Sequence, residues 1–528
     1  MNQWEELQQA AFAKKVSRRD FMRRATALGI STALATGVLS RAGYAQEPKK
    51  GGTFKIGLGH GATTDSLDPA TYPDQMTGTV GWGASGNSLT EMDVAGNIVG
   101  DIAESFEPSD GAKKWAFKVR KGATFHNGKD VTAEDVVASY KHHMGPDSKS
   151  AAKSVVDTIE DIKADGDNVV ITLKGGNADF PFYASDYHLK IMPAKADGKV
   201  DWESGVGTGP YQIVKFEPGV GAKLKRFDNF YGKSYFDEVE FKVIADVAAR
   251  TNALTSGEIH YMDRCDLKTV NLLKKNPDIN VNEVTGYGHY IFVMNVTAAP
   301  FDNPDVRNAI KFAIDREEIS KKVFHGYASP GNDNPIAPSI QYAINPEPVH
   351  SYNAEKAKEL LKKAGLDSLT IDLSTSDAAF AGAVDAATLF KESAAKAGIN
   401  INVIREASDS YWDNVWLKKP FCASYWNGRP TCDWMFTTAY AAEAPWNDTF
   451  WKNPRFNELL VAARSETNSD TRAKQYAEMQ QLVHDDGGLI NIVFNSYVSA
   501  NSKAVAHGDL LSNWDVDGMK ICSRWWMA

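Results

Sequence analysis

Short hydrophobic patterns divide much of the chain into strands and helices. Residues 55–58 are typical of a strand, and Trp115, Phe117 and Val119 alternate with charged or small residues, as in a half-buried strand. Thr132 is a suitable N-cap for a helix, because an acidic residue stands three positions later and an apolar face follows. These patterns predict a mixed succession of strands and helices.

The second half of the chain carries the clearest signal of fold class. Residues 303–304 and 453–454 each combine a capping asparagine with a proline at the first helical position. Between these two helix starts, residues 369–373 alternate as a strand, residues 379–397 have a helical pattern, and residues 399–403 alternate again. This order predicts two parallel strands joined by a right-handed crossover, and therefore an α/β fold.

The first 45 residues have the layout of an export signal. Paired arginines lie within residues 18–24, an uncharged stretch covers residues 25–39, and small residues end the segment before residue 46. The string SRRDFM at residues 17–22 resembles the twin-arginine export consensus. The uncharged stretch is shorter than the roughly 20 apolar residues of a spanning helix. We therefore expect cleavage near Ala45 and a periplasmic protein.

Removal of this segment makes the protein more acidic. The 528 residues include 58 basic and 67 acidic side chains, a net charge of −9. From residue 46 onward, 51 basic and 64 acidic side chains remain, a net charge of −13. This charge argues against a partner with a phosphate backbone, so we expect no nucleic acid. No later stretch is apolar for long enough to span a bilayer.

Motifs of enzyme chemistry are absent or incomplete. Residues 57–62 fit G-x-G-x-x-A after a strand, but no helix pattern follows to present its N-terminus to a pyrophosphate. The chain has no G-x-S-x-G, no P-loop and no H-E-x-x-H motif. We expect no catalytic residue, cofactor or metal site. An exported hydrolase of small amides or glycosides is the alternative function.

Four separated strings resemble one family of proteins. They lie at residues 119–143, 207–219, 253–263 and 303–319, in the order and spacing of the peptide, opine and nickel class of solute-binding proteins that serve ABC importers. The resemblance covers nearly all of the chain after residue 45. It implies a binding protein that captures a small-molecule ligand and delivers it to an inner-membrane ABC permease.

The resemblance also implies an architecture. It is a two-lobed periplasmic-binding-protein clamshell of the α/β class, which closes on the ligand by hinge motion. The larger, discontinuous lobe would comprise residues 46–300 and 491–528, with an extra subdomain in its first part, and the second lobe residues 301–490. We expect this clamshell to be a monomer.

Residues 425–430 depart from the peptide-binding members of the family. Those members place a carboxylate after a Trp-x-x step to hold the ligand's ammonium group, whereas this chain has Arg429 after Trp426. A guanidinium suits a carboxylate, so we expect an opine-like ligand, an acidic amine compound or an atypical short peptide. Oligosaccharides and nickel chelates fit less well. The alternative is that Arg429 pairs internally with Asp433 or Asp266.

Further candidates for the ligand cleft come from other segments. Arg264 is either a second anion contact or part of a surface ion pair, and Asp266 would orient it or accept a ligand amine. The remaining candidates, chosen for apolar contact or hydrogen bonding, are His60, Trp412, Tyr425, Trp426 and Asn427.

Export would permit disulfide bonds. Cys422 and Cys432 lie ten positions apart on either side of Trp426, and a bridge between them would stabilise the fold by about 3 kcal/mol and hold the intervening turn rigid. Cys265 and Cys522 are left as a second bridge or as buried thiols.

Overall fold

A computed structural model gives the fold. It describes residues 48–407 and 411–528, together with the isolated positions 4, 7, 8, 21, 24, 25 and 28. The expected export signal, with its twin-arginine string and its cleavage site, lies largely outside the described residues. None of the helices in the described part is long and apolar enough to cross a membrane.

The strands of the described residues fall into one large sheet and three small ones. In chain order they are β1 (Thr53–Leu58), β2 (Thr90–Met92), β3 (Ile98–Gly100), β4 (Ala103–Ser109), β5 (Lys114–Val119), β6 (Ile159–Asp165), β7 (Asn168–Leu173), β8 (Tyr211–Glu217), β9 (Gly221–Arg226), β10 (Glu238–Val243), β11 (Tyr261–Met262), β12 (Ile279–Met294), β13 (Ala328–Pro330), β14 (Leu369–Thr375), β15 (Ile399–Arg405), β16 (Phe421–Trp426), β17 (Leu489–Ser502), β18 (Val505–His507) and β19 (Trp525–Met527).

The helices range from single turns to five turns. They are α1 (Gln75–Gly78), α2 (Ala133–His143), α3 (Lys153–Val156), α4 (Phe180–Tyr183), α5 (Val247–Thr255), α6 (Val270–Leu273), α7 (Pro304–Ala313), α8 (Arg316–Lys322), α9 (Ala354–Lys363), α10 (Ala383–Ala395), α11 (Tyr411–Asn414), α12 (Cys432–Ala439), α13 (Pro454–Ser465), α14 (Ser469–Asp486) and α15 (Ile521–Arg524). A 3-10 turn at Pro69–Thr71 and a π turn at Thr79–Ala84 flank α1.

Side-chain caps fix the helix starts that the sequence predicts. The Thr132 backbone N–H donates to the Asp135 carboxylate at 3.0 Å, and the Thr132 hydroxyl accepts from the Asp135 backbone N–H, which completes a capping box at α2. Asn303 and Asn453 cap α7 and α13, each with a proline next in sequence. The predicted strand–helix–strand unit is β14, α10 and β15, and its two strands are parallel.

The large sheet joins two lobes. Its strand order is β15-β14-β16-β12-β17-β11-β1-β10-β9-β8, with β13 paired to β17. The long strands β12 and β17 pair with each other, and β12 also pairs with β16 while β17 also pairs with β11. We call the half with β1 and β8–β11 the larger lobe and the half with β14–β16 the second lobe. The boundaries expected at residues 300 and 490 stay a prediction.

Each lobe has its own hydrophobic core, and a third core lies outside both. Phe54 and Trp525 belong to the core of the larger lobe, and Phe390 and Phe421 belong to that of the second lobe. A third core, which includes Phe117, lies under the four-stranded antiparallel sheet β4-β5-β7-β6 and helices α2–α4. We call this third unit the extra subdomain. A two-lobed α/β fold with such a subdomain is the class expected from the sequence.

The predicted Cys422–Cys432 disulfide is wrong for this structure. All four cysteines are buried free thiols. Cys422 lies in β16 and packs in the core of the second lobe, whereas Cys432 begins α12, packs in a different cluster, and donates its thiol to the backbone carbonyl of Gln341 at 3.4 Å. The strand between the two cysteines carries them apart, because each residue of a strand advances the chain by about 3.3 Å. Cys265 and Cys522 are also unbridged.

Candidate functional site

A cavity of about 800 Å³ opens between the two lobes. Its lining comes from the loop after β1, from α1, from Tyr187 after α4, from the segment after β11 and from the C-terminal segment that includes Asp515. It is completed by β12 and β17, which pair with each other and are called the crossing strands below, and by the end of β16 and two loops of the second lobe. The lining residues used below are His60, Asp74, Gln75, Arg264, Gly288, Tyr290, Phe380, Tyr425, Trp426, Asn427, Gly428, Asn495, Tyr497 and Asp515. Because both lobes and both crossing strands line it, the cavity is placed where hinge motion would open and close it.

An arginine anchored from two sides forms the charged floor of this cavity. The Arg264 Nε donates to the carboxylate of the buried Asp515 at 3.2 Å, and the Arg264 Nη1 contacts Nε2 of His60. The side chain of Arg264 is still 49% exposed. Burial, together with the neighbouring guanidinium, lowers the pKa of His60, so this ring is neutral near pH 7 and accepts a hydrogen bond from Arg264.

The backbone around both members of the pair is unusual. Arg264 has φ 45°, and Val516, Asp517 and Met519 have φ between 54° and 63°, all in the left-handed region that side chains disfavour. The segment Asp515–Gly518 is thus a left-handed turn. Such geometry persists only where surrounding contacts hold it, and here it aims Asp515 at Arg264.

Further contacts hold this floor in place from behind. The Gln75 side-chain amide donates to the backbone carbonyl of Asp515 at 3.2 Å. The buried Arg250 and Asp263 form an ion pair at 3.2 Å, and Asp263 also accepts from the backbone N–H of Gly59, next to His60, at 2.9 Å. Three segments distant in sequence are therefore tied together under the cavity.

The wall supplied by the second lobe is aromatic and uncharged. Phe380 stacks on Tyr290 of β12 with ring centroids 4.5 Å apart and planes 6° from parallel. Tyr425 is 37% exposed, and its ring meets that of Trp412 edge-on at 5.5 Å. Trp426 is buried and contributes apolar surface with low loss of conformational entropy.

Arg429 lies next to the cavity-lining turn but is not itself a lining residue. Its Nη1 donates to the backbone carbonyls of Asn427 at 2.9 Å and Gly428 at 3.3 Å, and its guanidinium lies 6.0 Å from the ring of Trp434. Among the described residues no carboxylate forms an ion pair with Arg429. The expected partner Asp433 pairs instead with Arg464 of α13. Arg429 therefore orders the turn that presents Asn427.

The turn itself lies very close to β12. A Cβ atom added to Gly428 would stand 2.0 Å from the Cβ of Tyr287 and 2.4 Å from its carbonyl carbon. Only glycine fits there without movement of the chain, because real Cβ contacts are never that short. This close approach fixes the distance between the turn that carries Asn427 and strand β12.

The structure brings together five of the eight residues predicted from sequence. His60, Arg264, Tyr425, Trp426 and Asn427 line the cavity. Trp412 packs behind Tyr425, Arg429 behind Asn427, and Asp266 hydrogen-bonds the backbone N–H of Lys268 at 3.0 Å. The expected Arg264–Asp266 pair is replaced by Arg264–Asp515.

Sequence reasoning missed other lining residues. Asp515, Tyr290, Phe380 and Asn495 lie in segments that carry no recognisable motif, and Asp74 looks like an ordinary helix cap. No signal in a single sequence would have joined Arg264 to a carboxylate 251 positions away. In the parts of the chain that the structure describes, no three His, Cys, Asp or Glu side chains are grouped as metal ligands.

An aromatic cleft with a charged floor, set between two lobes, is typical of a ligand-binding protein. Residues 97–448 match the model of the bacterial extracellular solute-binding proteins, family 5 middle region. The chain belongs to this family of binding proteins.

Similar proteins cover most of the chain. Glutathione-binding protein GsiB of Pectobacterium atrosepticum is 27% identical over 465 residues, which are 84% of this chain and 89% of that protein. The structure of the binding protein AgaA with agropinic acid, from A. tumefaciens R10, has TM-score 0.69 and 25% identity, and the match covers 90% of this chain and 99% of that one. The structure of the periplasmic binding protein DppA from Helicobacter pylori with the peptide STSA has TM-score 0.69 and 24% identity, and the match covers 91% of this chain and 98% of that one.

Proposed function

We propose that this protein is the exported solute-binding component of an ABC importer. In this proposal the twin-arginine segment delivers it to the periplasm, the monomeric clamshell closes on a small organic ligand, and the closed form docks on an inner-membrane permease. The observation that carries the proposal is the cavity of about 800 Å³ lined by both lobes and both crossing strands. Its size suits one small organic molecule.

The charges of the cavity support a ligand with a carboxylate. The lining residues with a carboxylate, a guanidinium or an imidazole are His60, Asp74, Arg264 and Asp515, all from the larger lobe, and the lining from the second lobe carries no charge. Arg264 has its Nε and Nη1 engaged and half of its side chain exposed, so Nη2 is available for a ligand oxygen. We assign the contact with the ligand's carboxylate to Arg264. Arg429 instead orders the turn of residues 427–428 in the wall from the second lobe.

The composition of the cavity also supports a ligand that is more than an anion. Asp74 and Asp515 together outnumber Arg264, which favours an additional cationic group such as an amine. The aromatic wall suits an apolar or planar middle portion. An opine-like or other acidic amine compound, or an atypical short peptide, meets these conditions. Glutathione and agropinic acid, the compounds in the names of similar proteins, both carry carboxylates.

Native mass spectrometry of protein from its own periplasm tests the proposal directly. A co-purified small molecule is expected, and calorimetric titration of stripped protein with glutathione, agropinic acid, the peptide STSA and Ni(L-His)2 should give saturable binding for a carboxylate compound that is recovered intact. Turnover of the bound compound would instead establish a hydrolase, and failure to bind any compound or retain any molecule would overturn the proposal.

A further inference from the structure

The extra subdomain touches the second lobe at a place separate from the ligand cavity. The contact is made by residues 176–183, which end in α4, and by helices α12, α13 and α14. None of the residues of this contact lines the cavity. The contact is thus a second connection to the second lobe beside the cavity, and its Trp434 lies 6.0 Å from the guanidinium of Arg429.

A buried ion pair forms the centre of this contact. The Arg472 Nη2 donates to the Asp179 carboxylate at 2.6 Å, and the two side chains are 7% and 3% exposed. Asp179 stands at the N-cap position of α4, yet its carboxylate makes no capping hydrogen bond. Among the described side chains, Arg472 is the hydrogen-bond partner of this carboxylate. The Asp179 carboxylate therefore binds Arg472 of the second lobe instead of capping its own helix.

Arg472 is oriented by groups of its own lobe before Asp179 reaches it. Its Nε donates to the backbone carbonyl of Ala463 at 3.2 Å, and its guanidinium lies 5.3 Å and 5.4 Å from the ring centroids of Tyr342 and Tyr476. A pre-oriented guanidinium loses little entropy when it binds a carboxylate. It forms a receptor for the incoming Asp179.

Two further contacts surround the pair. The backbone N–H of Ala178 donates to the carbonyl of Arg464 at 2.7 Å. Tyr183 stacks on Trp434 with centroids 4.3 Å apart and planes 21° from parallel, so that Trp434 packs against the core of the extra subdomain. These contacts keep water from the ion pair and add a directional hydrogen bond, which makes the closed contact a single defined arrangement.

We propose that residues 176–183 are a latch that holds the extra subdomain against the second lobe when the cavity holds no ligand. Opening the lobes at this place would break the Arg472–Asp179 ion pair, the Ala178–Arg464 hydrogen bond and the Tyr183–Trp434 stack together, so these contacts favour the closed arrangement. The latch thus raises the population of the closed form in the free protein, and a ligand that selects this form binds more tightly for that reason. This inference rests on the two-lobed fold and is independent of the ligand.

Spin-label distance measurements on ligand-free protein test the latch. Labels at Lys163→Cys in β6 and Lys391→Cys in α10 report the separation of the two units, since both positions are exposed and the four native thiols are buried. We expect one short distance in the labelled parent. Asp179→Asn should lose the short-distance population in favour of longer distances, whereas Arg455→Gln, at exposed ion pairs of α13, should retain it.

Trp434→Leu provides a second test that does not depend on a buried charge. It removes the stack on Tyr183 at a position that is only partly buried, and it should also shift the population to longer distances. The parent distance in a folded Asp179→Asn variant would overturn the proposal. If Asp179→Asn does not fold by circular dichroism, the parent distance in Trp434→Leu would overturn it instead. Because no ligand is used, either outcome leaves the proposed transport function untouched.

Discussion

Arg264 and Asp515 stand 251 residues apart in the chain and form an ion pair at 3.2 Å on the floor of the cavity between the lobes. Asp515 is buried while Arg264 is half exposed, so the pair has one fixed and one accessible member. The carboxylate orients the guanidinium, and Arg264 is part of the lining of the cavity. An anion site of this kind is organised before the ligand arrives.

Arg264→Met should weaken binding of a carboxylate ligand by about 10- to 100-fold, because a charge-assisted hydrogen bond contributes about 1.5–3 kcal/mol. Isothermal titration with the compound found by native mass spectrometry measures the change. Lys225→Met is the matched control, since Lys225 is an exposed lysine of β9 outside the cavity lining. Equal affinities of the Arg264→Met variant and the parent would remove Arg264 from the ligand site.

Gly428→Ala should disturb the aromatic wall without removing any polar group. The new methyl group would overlap Tyr287, so the turn must move or the strand must bend, at a cost of about 1–3 kcal/mol in the free energy of unfolding. Ligand affinity should fall as well, because Trp426 and Asn427 move with the turn. Urea denaturation and titration measure the two effects. Gly175→Ala is the control, since a Cβ there meets no atom within 4 Å, and an equally small effect of both substitutions would contradict the argument.

Local structure was predictable from the sequence, but the partners in the site were not. The cap at Thr132 and the parallel pair β14–β15 depend on residues close in sequence, and both occur as expected. The sequence favours the nearby Asp266 as the partner of Arg264, because no pattern in a single sequence singles out one distant carboxylate among many. Asp515 reaches Arg264 through a left-handed turn that propensities disfavour, so no local pattern predicts it.

The Arg429 interpretation illustrates the same limit. The sequence places an arginine in a segment expected to reach the ligand cleft, and that segment supplies Asn427 and Trp426 to the lining of the cavity. Which way the guanidinium turns depends on the carbonyl groups of the turn and on Trp434, which belongs to the next helix. The predicted Cys422–Cys432 disulfide is wrong for a related reason. The number of residues between two cysteines does not show that β16 leads the chain away from Cys422.

The four thiols should be inert in the folded protein. Burial is the largest of the causes that raise the pKa of each thiol, including Cys422 and Cys432, so little reactive thiolate forms at pH 8. Ellman's reagent should therefore find no accessible thiol in native protein and four after denaturation in urea, with no reductant added. Two or fewer reactive thiols after denaturation would show that a disulfide is present. Rapid reaction of the native protein would contradict the burial of these side chains.

Asp448 should make the protein less stable as the pH rises toward neutrality. It is buried, and its carboxylate accepts a hydrogen bond from the indole N–H of Trp416 at 3.1 Å, while no cation forms an ion pair with it among the described residues. Burial raises the pKa of Asp448 to about 7. Between about pH 4 and pH 7 the folded state keeps a proton that the unfolded state has lost, so stability falls with rising pH, in total by on the order of 4 kcal/mol.

Asp448→Asn should remove this dependence, because the amide resembles the protonated acid and keeps an oxygen for the Trp416 indole. Its stability relative to the parent should therefore improve as the pH rises, with little difference at pH 4.5 and the largest gain at pH 7.5. Urea denaturation followed by circular dichroism at several pH values measures the difference. Asp367→Asn, at an exposed carboxylate, should show no such trend. A constant difference between the Asp448→Asn variant and the parent from pH 4.5 to 7.5 would mean that Asp448 is ionised in the folded protein throughout this range.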